Sequence, residues 1–193
     1  LLSAGCLLAA APSSAEPPGA TTTVRATEAR CAEARAVVKA FLQYDYDFDR
    51  LPTPELAKLL ADQGGSGGEA FAVVESFHVE SCSETREGFR IGVRWFVLGS
   101  LGAAGPEGRA VFDKRFCWET RDVAVVREGD LLKVRGSGAF PPHVGVKRAA
   151  DILSRPRKAG GDGDSPADEA VRAEMARAAA LAEMGKFEAG ECE

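Results

Sequence analysis

Apolar side chains in the N-terminal third recur every three or four residues. Ala32, Val37, Val38, Phe41 and Leu42 fall on one face of a helix at that spacing, and the Ala-rich filling between them favours helix. The pattern predicts a first helix from about Thr27 to Tyr44. Thr53-Pro54-Glu55-Leu56 then reads as an N-cap followed by Pro at the first helical position, opening a short second helix to about Ala61. Gly64-Gly65-Ser66-Gly67-Gly68 follows as a loop.

From Ala70 the period changes to two. Phe71, Val73, Phe77 and Val79 alternate with smaller or polar residues, and Phe89, Ile91, Val93, Trp95 and Val97 alternate with Arg90 and Arg94, as in half-buried strands. A loop around Gly102 to Gly108 returns the chain. A long third strand carries Phe112, Phe116 and Trp118 on one face and runs, with a bend, to Val126. Glu128-Gly129-Asp130 is a tight turn, and Leu131 to Val134 pairs back. Connections this short imply an antiparallel meander with one face buried. Ala159 to Ser165 has a flexible-linker composition. Ser165-Pro166-Ala167-Asp168 opens a last helix, whose narrow stripe of Val171, Met175, Ala178 and Ala182 is expected to dock back on the domain, tied by Cys192, or to contact a partner. The fold class is therefore α+β, with N-terminal helices packed on an antiparallel sheet and a separate C-terminal helix. The boundaries read as 1–15 leader, 16–24 tether, 25–158 domain, 159–165 linker and 166–193 helix.

The leader changes how the rest is read. Leu1 to Ala15 carries no charged side chain and ends in small residues at Ser13 and Ala15, the pattern of a secretory signal cut between Ala15 and Glu16. An alternative is a loose lipobox, Ser3-Ala4-Gly5-Cys6, with lipid on Cys6. No later stretch reaches the ~20 apolar residues of a membrane span. A secreted or periplasmic chain keeps Cys31, Cys82, Cys117 and Cys192. An even number in an oxidising compartment suggests disulfides, with three connectivities open, although one or two could be buried thiols. Cys82 and Cys117 share an outward parity on the first and third strands of a simple meander. Two spacings of ~4.8 Å exceed a disulfide's reach, so that pairing would need a bulge or another strand order.

Charge excludes one class of partner. Lys and Arg number 24 against 29 Asp and Glu, a net charge of −5, whereas a nucleic acid's phosphate backbone needs a basic surface, so no nucleic-acid partner is expected. No metal and no cofactor is expected: the chain has no Cys-x-x-Cys, and His78 and Cys82 are too few for a metal site. His78 should face away from the core. His143, after Pro141-Pro142, reads as a structural loop residue.

The segments Ala36-Val37-Val38-Lys39-Ala40-Phe41-Leu42 and Asp122-Val123-Ala124-Val125-Val126-Arg127-Glu128-Gly129-Asp130-Leu131-Leu132-Lys133-Val134 resemble those of the cone-shaped fold shared by nuclear transport factor, ketosteroid isomerase and the SnoaL-like proteins. Leu132 stands where that family often has Trp. The resemblance implies a strongly curved sheet with a pocket, because the first helix covers only part of a bent sheet's concave face. Phe41, Phe77, Trp95, Phe112, Phe116 and Trp118 would fill the core or line that pocket, with Trp95, Phe112, Phe116 and Trp118 on one face. The resemblance also implies, for the family's enzymes, a pocket Asp as base and a Tyr hydroxyl steadying an enolate. Tyr44, Asp45, Tyr46, Asp47 and Asp49 are the candidates, and the same run is a poor calcium loop because Arg50 replaces the turn Gly. The expected role is an exported, non-catalytic binding or interaction module, its partner a small apolar molecule or an envelope protein, with homodimer formation open. The alternative is a small-molecule isomerase or dehydratase.

Overall fold

A computed structural model of the chain describes residues 18–47, 54–62, 70–104, 109–136, 142–154, 166–185 and 189–192. The leader residues Cys6, Ala15 and Glu16, the linker 159–165 and the candidate Asp49 lie outside them. The elements in chain order are helix α1 (Pro18–Tyr46), helix α2 (Pro54–Leu59), strands β1 (Ala70–Glu84), β2 (Gly88–Ala104), β3 (Arg109–Glu128), β4 (Leu131–Arg135) and β5 (His143–Gly145), helices α3 (Val146–Leu153) and α4 (Pro166–Glu183), and strand β6 (Gly190–Glu191). Helix α1 begins at Pro18, inside the stretch read as a tether. Helix α3 was not foreseen, although Val146, Ala149, Ala150 and Leu153 repeat at helical spacing and all pack against one core.

The sheet order is β4-β3-β2-β1-β5, with β6 beside β3. The expected meander holds from β1 to β4, through antiparallel pairs such as Phe77 with Trp95, Trp95 with Glu119 and Val125 with Val134. The turn into β4 is the expected one, with Gly129 at φ 61°, a left-handed backbone that glycine adopts without strain. Strands β5 and β6 add parallel pairings, to β1 at Ala72–Val74 and to β3 at Cys117–Trp118, so the sheet is mixed.

The sheet curls into a half-barrel. Helix α1 touches β1, β2, β3, β4 and β5, including both ends of the strand order. Flat, those outer strands would lie roughly 19 Å apart, too far for one helix about 10 Å across. The bending sites are breaks in register between Val73 and Val74, Val74 and Ser76, Val79 and Cys82, and Val97 and Gly99. Each break adds twist and turns the following side chains to the other face.

The two faces of the sheet carry two cores. The inner one joins α1 to the concave face through Cys31, Ala34, Val38, Phe41, Leu42, Ile91, Val93, Trp95, Val97, Cys117, Val123 and Val125. The α1 seam runs through Cys31 and Ala34, and Ala32, expected on it, is exposed. The outer core seats α3 and α4 against Phe96, Leu98, Leu101, Phe112 and Val144. Met175 and Ala178 of the α4 stripe are fully buried there, so the last helix docks as expected.

Two disulfides tie peripheral elements to the sheet. Cys31 joins Cys82, α1 to β1, and Cys117 joins Cys192, β3 to the residue after β6. The parity assigned to Cys82 and Cys117 is corrected. The bulge between Val79 and Cys82 turns Cys82 toward α1, and Cys117 points into the inner core. Among the described residues no helix is long and apolar enough to cross a membrane.

Each bridge closes a long loop, with sequence separations of 51 and 75 residues. Replacing either pair by alanines is expected to lower stability by about 2–4 kcal/mol, read from urea unfolding midpoints. Gly145 offers a separate check. A Cβ there would sit 2.5 Å from the Tyr46 ring carbons, so Gly145→Ala should cost about 1–3 kcal/mol through overpacking.

Candidate functional site

On the inner face of the half-barrel a polar constellation brings together strands that are not neighbours. Trp95 on β2 points inward because it shares parity with Ile91, Val93 and Val97. Glu119 is its cross-strand partner on β3. His143 enters from β5, at the far end of the strand order. Its ring stacks on Trp95 with centroids 4.3 Å apart and planes 19° apart, and its Nε2 lies 3.2 Å from Glu119 Oε2. The His143 side chain is 1% exposed and that of Glu119 16%. Three strand spacings separate β5 from β3, roughly 14 Å in a flat sheet. The curl is what lets the two side chains meet.

Electrostatics follow from that meeting. The hydrogen bond from His143 holds the Glu119 carboxyl at about 2, well below the usual carboxylate range, against burial, which pushes it up; the ring's charge and the neighbouring Arg121 guanidinium add to the lowering. Arg121 Nε donates to Glu119 Oε1 from two residues along the same strand. The other ring nitrogen, His143 Nδ1, is buried without a hydrogen-bond partner. A histidine acting as general base must present a nitrogen to substrate within hydrogen-bond reach. Here one nitrogen is bonded to Glu119 and the other is shut away. The arrangement clamps two strands and leaves no nitrogen facing an open space.

The residues expected to do chemistry are not gathered there. Tyr46 ends α1 packed against Phe77, centroids 6.0 Å apart, and its hydroxyl donates to the Glu75 carbonyl at 3.1 Å. Burial, then the charges of Glu75 and Asp47, push the Tyr46 hydroxyl above its ordinary value. Asp47 is exposed and accepts from Gln43 Nε2 at 2.9 Å. Tyr44 packs at the edge of the inner core. Asp45 lies in α1 with its side chain outside the described residues. Tyr46 and Asp47 do border a surface cleft of about 510 Å3, with Lys147, Arg148 and Asp151. Among the described residues no group of three or more His, Cys, Asp or Glu side chains could hold a metal ion.

The aromatic grouping is corrected. Trp95, Phe41 and Phe77 belong to the inner core, and Phe112, Phe116 and Trp118 to the outer one. Trp95 pairs with Glu119 rather than Trp118, so from Phe89 to Val97 odd positions of β2 share a face with odd positions of β3, and past the break at Val97–Gly99 the parity reverses, as in Leu101 with Phe112. Trp118 sits among Phe96, His78 and the Arg94 guanidinium, the last 4.6 Å from its ring centroid. It lines a cleft of about 280 Å3 with Glu75, Phe96, Ala182 and Ala189. His78 is exposed, as expected. His143 and Glu119 were missed as partners. The sequence carried no signal for it, because the parity of β3 read from Phe112, Phe116 and Trp118 put Glu119 on the opposite face.

A scan of the chain against protein-family models, curated proteins and solved structures finds no match.

The lowered Glu119 value has a pH consequence. A carboxylate depressed in the folded state contributes stability that is complete above its unfolded value, near 4.3, and is lost as pH falls through that value toward about 2. Glu119→Gln is expected to remove roughly 2–3 kcal/mol at pH 7 and to flatten the stability change between pH 4.5 and 2. Urea unfolding of both chains across that range measures it.

Proposed function

We propose that the protein is an extracytoplasmic binding module that works through its outer surface and does no chemistry inside the half-barrel. The observation that supports this best is the Trp95–His143–Glu119 stack, which fills the concave face and leaves neither imidazole nitrogen for a substrate. The two disulfides fit an oxidising environment outside the cytoplasm. With them goes the reading of Leu1 to Ala15 as a signal cut before Glu16, or of Cys6 as a lipid anchor. The curled sheet wrapped around α1 supports the likeness to the cone-shaped family, whose pocket is here occupied by side chains. A protein of the envelope is then a better partner than a small apolar molecule.

The isomerase or dehydratase reading would have to use the cleft beside Tyr46 and Asp47. Its weakness is chemical. The Tyr46 hydroxyl is committed to a backbone carbonyl, and its raised pKa makes it a poorer acid for an enolate.

The test is a native intact mass spectrum of the protein purified from an exporting bacterial host. The expected spectrum shows a chain starting at Glu16 or at a lipidated Cys6, four hydrogens lighter than its reduced form, and no retained small molecule. A stoichiometric non-covalent adduct that survives dilution would overturn the surface reading in favour of a ligand-holding interior.

A further inference from the structure

One end of the outer sheet face is left bare by α3 and α4. There β2, β3 and β4 place Arg90, Ala124 and Arg135 side by side, since Ala124 is the register partner of both arginines. Paired residues in a sheet point to the same face. Phe89, Val125 and Val134, their sequence neighbours, are buried in the inner core, so the row Arg90–Ala124–Arg135 points outward, and its members are exposed. The next outward row is Gly88, Val126 and Lys133. The middle of both rows carries short side chains, and Gly88 carries none. The result is a notch of about 330 Å3, floored by Ala124 and Val126, with Arg86 from the β1–β2 turn as a third cation on its rim.

The cations there are incompletely neutralised. Arg135 Nη1 reaches Glu87 at 2.7 Å. Arg90 lies 3.7 Å from Asp122, beyond a normal hydrogen bond. Arg86 makes no ion pair among the described residues. The lining holds three guanidinium groups and one carboxylate, a local excess of positive charge on a chain whose net charge is −5. Arg90 and Arg135 flank a single alanine, so their Cα atoms are roughly 10 Å apart. Two guanidinium forks at that spacing can converge on one tetrahedral oxyanion, each donating two N–H groups to adjacent oxygens.

We propose that this notch is a phosphate-binding site, with Arg90 and Arg135 gripping the phosphate from two sides, Arg86 closing over it, and the Ala124–Val126 floor taking the apolar part of whatever carries the group. The site stands apart from the inner constellation and does not depend on the surface-module reading above. Two sources offer the same chemistry, a free phosphate compound and the headgroup of an anionic phospholipid.

The experiment titrates inorganic phosphate into the full chain at constant ionic strength, with sodium chloride as the replaced salt, and follows the guanidinium Nε–H resonances by NMR. Saturable shifts of Arg86, Arg90 and Arg135 together, with the exposed Arg177 on α4 unmoved, are expected. Arg90→Gln with Arg135→Gln should weaken the fitted affinity at least tenfold, while Arg177→Gln, an equal charge change elsewhere, leaves it as it was. The double variant alters exposed side chains only, and an unchanged thermal midpoint to within a few degrees confirms that it folds. A linear, unsaturated response, or an affinity read from Arg86 that is unchanged in the double variant, overturns the site. Sedimentation with phosphatidylglycerol vesicles against phosphatidylcholine vesicles then separates the sources. Arginine-dependent pelleting with the anionic vesicles alone assigns a membrane headgroup, and saturable phosphate binding without pelleting assigns a free phosphate compound.

Discussion

The contact between His143 and Glu119, laid flat on Trp95, is the constraint from which the rest of the architecture follows. It joins β5 to β3 across the mouth of a curled sheet, over a gap that flat strands could not close. Burying such a pair is costly unless each charge meets another. Arg121 supplies part of that compensation at Glu119. The pair contributes to geometry as well as to stability. It specifies one curvature, and that curvature leaves α1 the room to touch every strand from β4 to β5.

Covalent links add a second source of stabilisation. One disulfide ties the helix lying inside the half-barrel to β1, and the other ties the last residues to β3. Both reach across long stretches of chain, where constraint of the unfolded state is greatest. The second bridge also seats β6, through the Cys192 N–H donating to the Trp118 carbonyl at 2.8 Å, with Arg94 and Glu191 paired at 2.7 Å beside it. That strap covers part of the β3 edge, which an exposed sheet would otherwise offer to other chains.

Packing two cores on opposite faces of one sheet has a functional cost and a functional opening. The concave face is filled by Phe41, Trp95, His143 and their neighbours. Chemistry-bearing groups are left to the rims and to outward-facing strand positions. Arginines are prominent there: Arg94 over Trp118, and Arg86, Arg90 and Arg135 around a notch floored by small residues. A rigid sheet holds such side chains at fixed spacing, which loops do not do.

Periodicity alone determined most of the elements. The three- and four-residue spacing of Val38, Phe41 and Leu42, the alternation from Phe89 to Val97, the Glu128-Gly129-Asp130 turn and the Met175–Ala178 stripe all report local geometry, and local geometry is written in neighbouring residues. Parity across strands was not legible. Whether Trp95 shares a face with Trp118 or with Glu119 depends on register, and register depends on bulges that shift pairing by a residue without leaving a mark in composition. The same bulges turned Cys82 toward Cys31. β5 is three residues long, too short for any periodic signal, so His143 could not be placed by its neighbours. Its partnership with Glu119 exists only because the sheet curls, and the curl is a property of all the strands together.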